Sequence, residues 1–158
     1  MLLQFSVTNH RSIKEKAVIS MKATADKSLK ECLISPDGKK ELVPVMAIYG
    51  ANAAGKSNMI QALLLMRDMV CGEYAKPLKG EELPWEPFAF TDDKDERPTD
   101  FEIIYYYEGT KYAYGYSFNR DRIISEYLYH WPNGREALVF SRDDDKYEFR
   151  ESIQEQLT

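Results

Sequence analysis

Apolar and polar residues alternate from the first positions of the chain. Leu3, Phe5 and Val7 are separated by Gln4 and Ser6, the pattern of a half-buried strand. Thr8, Asn9, His10, Arg11 and Ser12 interrupt it with turn-forming residues. A second strand is expected over residues 17–21, a loop over 25–30 and a short strand near 32–34, before Pro36, Asp37 and Gly38 turn the chain. Residues 42–49 are then nearly all apolar, which predicts a strand buried on both faces. Pro44 marks where it begins, because proline cannot donate in an interior ladder. Met59, Ile60, Leu63, Leu64, Met66 and Val70 predict a helix over residues 57–70, with Gly72 as its stop.

The second half follows another rule. Gly72, Pro77, Gly80, Pro84 and Pro87 make residues 72–87 an irregular connection. Phe101, Ile103, Tyr105 and Tyr107 alternate, Glu108, Gly109 and Thr110 turn, and Tyr112, Tyr114, Tyr116 and Phe118 alternate again, which predicts a hairpin. Strands over 123–130 and 147–149, with turns at 131–134 and 142–145, extend it into an antiparallel meander over 88–150. No solenoid repeat or low-complexity tract occurs.

The length of 158 residues suits one domain, or one lobe of a larger one. A net charge of −5 gives no support to a general phosphate-backbone binder and leaves room only for a local basic patch. Cys32 and Cys71 lie far apart and read as reduced thiols, and His10 and His130 have no ligand-like spacing. No basic leader and no apolar run of membrane-spanning length occurs, so a cytoplasmic protein is expected. The tyrosines of 105–116 read as cross-strand packing in preference to a base-stacking platform. The acidic runs 92–96 and 143–145 lack calcium-loop spacing and read as solvated turns.

The sharpest chemistry lies between the apolar run and the helix. Gly50, Ala51, Asn52, Ala53, Ala54, Gly55, Lys56 and Ser57 fit the pattern G-x-x-x-x-G-K-[ST]. Gly50 and Gly55 permit backbone angles that let successive N–H groups face inward around an anion. The helix start adds its positive dipole end. Lys56 supplies a mobile charge for the β- and γ-phosphates, and the Ser57 hydroxyl is placed to ligate Mg²⁺. At average glycine usage, a random chain of this length matches the pattern roughly 0.5% of the time. A nucleoside triphosphate, ATP with Mg²⁺, is the expected ligand.

Together with Asn9, His10, Arg11 and Ser12 between two strands, Asn58 after the Lys–Ser pair, the run Ile60, Gln61, Ala62, Leu63, and Pro84, Trp85, Glu86, Pro87, Phe88 before the meander, this loop resembles the AAA family ATPases of the abortive-infection and phage-defence type. These share their ATP-binding head with chromosome-maintenance, RecF-type and overcoming-lysogenization-defect ATPases. The resemblance spans essentially the whole chain. It implies an α/β fold (α+β over this length), the N-terminal lobe of a P-loop NTPase head, with strands, loop and helix over 1–71 and the meander following. It further implies ATP sandwiched between two copies in a head-to-head homodimer, and a nuclease or other effector as partner. Arg11 and Ser12 would lie near the nucleotide by the same resemblance; an ordinary solvated turn is the other reading of Arg11.

Hydrolysis by such a head needs an acid on a strand for Mg²⁺ and another to orient water. Residues 103–108 end in Glu108 without an Asp, and residues 138–143 place Ser141 and Arg142 before Asp143. No Leu-Ser-x-Gly-type signature occurs. The expectation is that residues 1–158 form the N-terminal lobe of a longer ATPase, with the catalytic lobe beyond Thr158, an exposed sheet edge inviting self-association, and little hydrolysis by this part alone. A GTPase would need Asn-Lys-x-Asp, and Asn119, Arg120, Asp121, Arg122 depart from it. A small-molecule kinase would carry a further loop glycine and an arginine-rich lid. A non-catalytic nucleotide-sensing module is the remaining reading.

Overall fold

A computed structural model describes residues 1–26, 28–72, 74, 82–90 and 97–150. The acidic run 92–96, the segment 151–157 and much of the connection 72–87 lie outside the described residues. Among the described residues the strands are β1 (Leu2–Thr8), β2 (Ala17–Ser20), β3 (Thr99–Tyr107), β4 (Thr110–Phe118), β5 (Ile123–His130), β6 (Ala137–Asp143) and β7 (Lys146–Phe149), with one α-helix, α1 (Lys56–Cys71), between β2 and β3. Single 3-10 turns occupy Lys30–Cys32 and Pro132–Gly134. The strands form one antiparallel sheet in the order β2-β1-β3-β4-β5-β6-β7.

The alternation predicted for 101–118 is realised as the β3–β4 hairpin, in register from Thr99 opposite Phe118 to Tyr107 opposite Thr110. Phe5, Val7, Phe101, Tyr116 and Phe118 bury one sheet face against Ala62, Met66 and Met69 of α1. The tyrosines pack as expected: Tyr105 stacks on Tyr112 across the strands at 5.4 Å, and Tyr106 and Tyr116 are buried. Glu126 lies between β4 and β6, accepting from the Tyr114 hydroxyl at 2.6 Å and from Arg142 at 3.1 Å. Burial, with the Glu126 carboxylate beside it, pushes the Tyr114 hydroxyl far above its usual range.

Three local expectations are corrected. The simple alternation of β1 is broken by a bulge between Leu2 and Gln4, which turns Leu3 to the opposite face. There Leu3 packs with Leu42 and Tyr106 in a second, smaller core. The strand expected near 32–34 is a 3-10 turn followed by one isolated bridge, Ile34 to Leu42.

The third correction matters most for the site. Residues 43–49 form no strand. Leu42 bridges Lys22, and the Val43 N–H reaches the Met21 carbonyl at 2.8 Å. Pro44 has no N–H to continue that contact along the outer side of the chain that follows β2. The run therefore leaves the sheet, with Val45 77% and Tyr49 89% exposed. No helix among the described residues is long and apolar enough to cross a membrane.

Candidate functional site

Residues 50–57 emerge from this extended run and lead directly into α1. Lys56 is the first helical residue, and Gly55 takes the N-cap position in the left-handed region, φ 84°. A Cβ there would stand 3.1 Å from the Ser12 hydroxyl, so position 55 is constrained by conformation and by space. Ala53 also has positive φ, 63°. Gly50 does not: its φ lies outside the left-handed region and a Cβ would make only ordinary contacts. The conformational requirement expected of both glycines falls on Gly55 alone.

The helix start is open. No side chain caps α1, and its first turn carries no acidic residue. The first N–H donors of a helix have no intrahelical partner, so here they remain available to an outside acceptor. The Lys56 ammonium folds back over the loop and donates to the carbonyls of Gly50 at 2.8 Å and Ala51 at 2.6 Å. The loop thus holds its own cation at the place where an anion would need it. Ala51, Asn52, Ala53, Ala54 and Ser57 are exposed around it.

The turn after β1 is brought onto the same helix. Asn58 donates to the Ser12 hydroxyl at 2.6 Å, and Arg11 donates to Gln61 one turn further along. Arg11 lies in the turn and is partly exposed, but its side chain is engaged. Its Nε and Nη2 contact the two oxygens of Glu86 at 2.5 Å and 3.1 Å, and its backbone N–H donates to the Glu86 carbonyl at 2.8 Å. The hydrogen bond from Arg11 holds the Glu86 carboxyl below the usual range. Buried Asn9 anchors the turn, donating to the carbonyls of Arg97 and Pro98 and accepting from the Phe88 N–H.

Glu86 and Gln61 carry no motif of their own. Glu86 meets Arg11 across a sequence separation of 75 residues, which no local pattern encodes. The only hint was an acid fixed between two prolines and two aromatics.

His10 occupies an apolar position, edge-on to Phe101 at 5.8 Å, with neither ring nitrogen hydrogen-bonded among the described residues. Burial, reinforced by the Arg11 charge and opposed by Glu86, lowers its pKa to about 4. Between its unfolded value near 6.5 and that value, the unfolded chain binds the proton more readily. Stability is therefore expected to fall as pH drops through this window, by roughly 3 kcal/mol below about pH 4. Urea melts across the window check this: His10→Phe should flatten the decline, and identical profiles for the two proteins would refute the assignment.

Glu108, the one acid at a strand end in the hairpin, sits in the β3–β4 turn, whereas the 9–13 turn and the start of α1 meet near Thr99, at the other end of β3. The nine residues of β3 at about 3.3 Å each separate the two. Among the described residues no group of three or more His, Cys, Asp or Glu could hold a metal ion.

A family model described as "AAA domain, putative AbiEii toxin, Type IV TA system" matches residues 45–157. No curated protein matches the chain.

Proposed function

The chain belongs to this AAA domain family, and from that premise we propose that it binds ATP with Mg²⁺ through residues 50–58. At the family level, membership gives a nucleotide-binding, ATPase-type domain of abortive-infection association. The observation that carries the finer reading is the Lys56 ammonium resting on the Gly50 and Ala51 carbonyls at the uncapped start of α1. A triphosphate entering this cup exchanges those two carbonyls for phosphate oxygens as partners of Lys56. The N–H groups of Gly55, Lys56 and Ser57 at the uncapped helix start would then be offered to the phosphates.

The exposed Ser57 hydroxyl would hold Mg²⁺, which would supply charge neutralisation for the phosphates. Asn58 and Ser12 fix the turn beside the loop, and Arg11, braced by Glu86 and Gln61, provides a second cation at its flank. These residues account for binding and orientation. None of them is an acid placed to activate water, so the described residues favour nucleotide binding with negligible turnover.

GTP is the alternative reading, and the string nearest to a guanine-reading element gives it no support. Asn119, the first residue of the string nearest to a guanine-reading element, spends its side-chain oxygen on the N–H groups of Asp121 and Arg122, both at 3.0 Å. In keeping with the family, we read the chain as part of a head that pairs with a second copy and serves phage defence or DNA maintenance through an effector.

Displacement of a fluorescent ATP analogue in Mg²⁺ tests the reading. ATP should compete roughly tenfold better than GTP, equivalent to about 1.4 kcal/mol. Ser57→Ala should remove most of the dependence on Mg²⁺. Equal or better competition by GTP would overturn the ATP assignment.

A further inference from the structure

At the end of the sheet remote from residues 50–57, the 35–40 loop, the β3–β4 turn and the β5–β6 connection enclose a cleft of about 580 Å³. Lys39, Lys40, Lys111 and Trp131 line it. The Lys111 ammonium rests 3.2 Å from the Trp131 ring centroid, and its nearest charged neighbours are Lys40, which repels it, and Glu136. Burial and the Lys40 charge together hold the Lys111 pKa below its usual value. None of the three lysines has a carboxylate within ion-pair distance among the described residues.

The one acid lining the cleft is already engaged. Asp37 Oδ1 accepts the backbone N–H groups of Lys39 and Lys40 at 2.9 Å and 2.8 Å, and its Oδ2 accepts the Tyr106 hydroxyl at 2.9 Å. Asp37 therefore fastens the loop to β3 and leaves the lysine side chains facing the cleft without a partner. On a chain of net charge −5, a concentration of unpaired ammonium groups around an indole is a local exception.

We propose that this cleft is a second anion site, distinct from residues 50–57, which takes a nucleotide phosphate on Lys39, Lys40 and Lys111 and its base on Trp131. The phosphate draws the Lys111 ammonium off the indole and frees that face for stacking, which every base can use. An acidic peptide would satisfy the lysines but not the indole. The nucleotide can be free or can belong to a single strand of nucleic acid, since both present the same phosphate and the same aromatic face.

The probe is a fluorescein-labelled oligothymidylate, followed by anisotropy with the full chain at several salt concentrations. Neutralisation of one strand phosphate by the three lysines predicts a slope of about −0.7 in log affinity against log salt. Lys39→Glu with Lys40→Glu should abolish measurable binding, and Trp131→Ala should weaken it about tenfold without changing the slope. The lysine exchange leaves the loop anchored, because Asp37 is held by backbone N–H groups. Lys56→Ala should leave this binding unchanged, which separates the cleft from the triphosphate reading. Competition by dTMP at a concentration comparable to the oligomer identifies a free nucleotide as the ligand, and competition by the oligomer alone identifies a strand. No binding at low salt, binding that survives the double lysine exchange, loss with Lys56→Ala, or equal displacement by polyglutamate would each overturn the proposal.

Discussion

Exchange of Lys56 for alanine is expected to lower affinity for ATP·Mg²⁺ by about 10- to 100-fold, the weight of one to two charge-assisted hydrogen bonds. The expectation follows from where the ammonium already is. Its contacts with the carbonyls of Gly50 and Ala51 hold the cation over the loop. Its loss should leave folding nearly untouched, within about 0.5 kcal/mol, because those carbonyls lie in an exposed loop that water can serve. Titration with a fluorescent analogue, paired with a thermal melt, separates the two effects. Unaltered affinity in a folded Lys56→Ala protein would remove the basis of the functional reading.

Phe101→Ala should have the largest effect on stability, a loss of roughly 3–5 kcal/mol. Phe101 is 2% exposed and is ringed by Tyr116 and Phe118 at 5.6 Å, His10 at 5.8 Å and Phe5 at 6.1 Å. Its removal opens a cavity in the cluster that α1 shares with the sheet. Set against a typical total of about 5–15 kcal/mol, that is a large share. The same substitution removes the floor beneath His10, so the turn that carries Arg11 and Ser12 should loosen as well. A loss of less than about 1 kcal/mol in the unfolding free energy from urea melts would show that the core is centred elsewhere.

The meander was legible because β-strand periodicity needs only local information. Phe101, Ile103 and Tyr105 share a face whatever they pair with, and Glu108 and Gly109 can only turn. Helix α1 was legible for the same reason, one residue longer at each end than its apolar spacing suggested. The run 42–49 misled because hydrophobicity reports an appetite for burial and not its fulfilment. A strand also requires an unbroken row of donors facing its neighbour, and Pro44 breaks that row at the third residue of the run. Leu3 misled because a bulge is invisible in alternation until its partner strand is known.

At the site, the composition of residues 50–57 could be read directly, and so could the adjacency of the Asn9–Ser12 turn implied by family resemblance. Gly50 was assigned a conformational duty that only Gly55 performs. The bracing of Arg11 by Glu86 was not legible, since it joins segments from opposite sides of the helix in the chain and depends on their meeting in space.

The loop that carries Lys56 is secured on one side only, by α1. On the other side hang several peptide groups that no neighbouring strand has claimed. The exposed residues of 45–49, Val45 and Tyr49 foremost, are therefore where a further strand could be added, directly in line with the loop that carries Lys56.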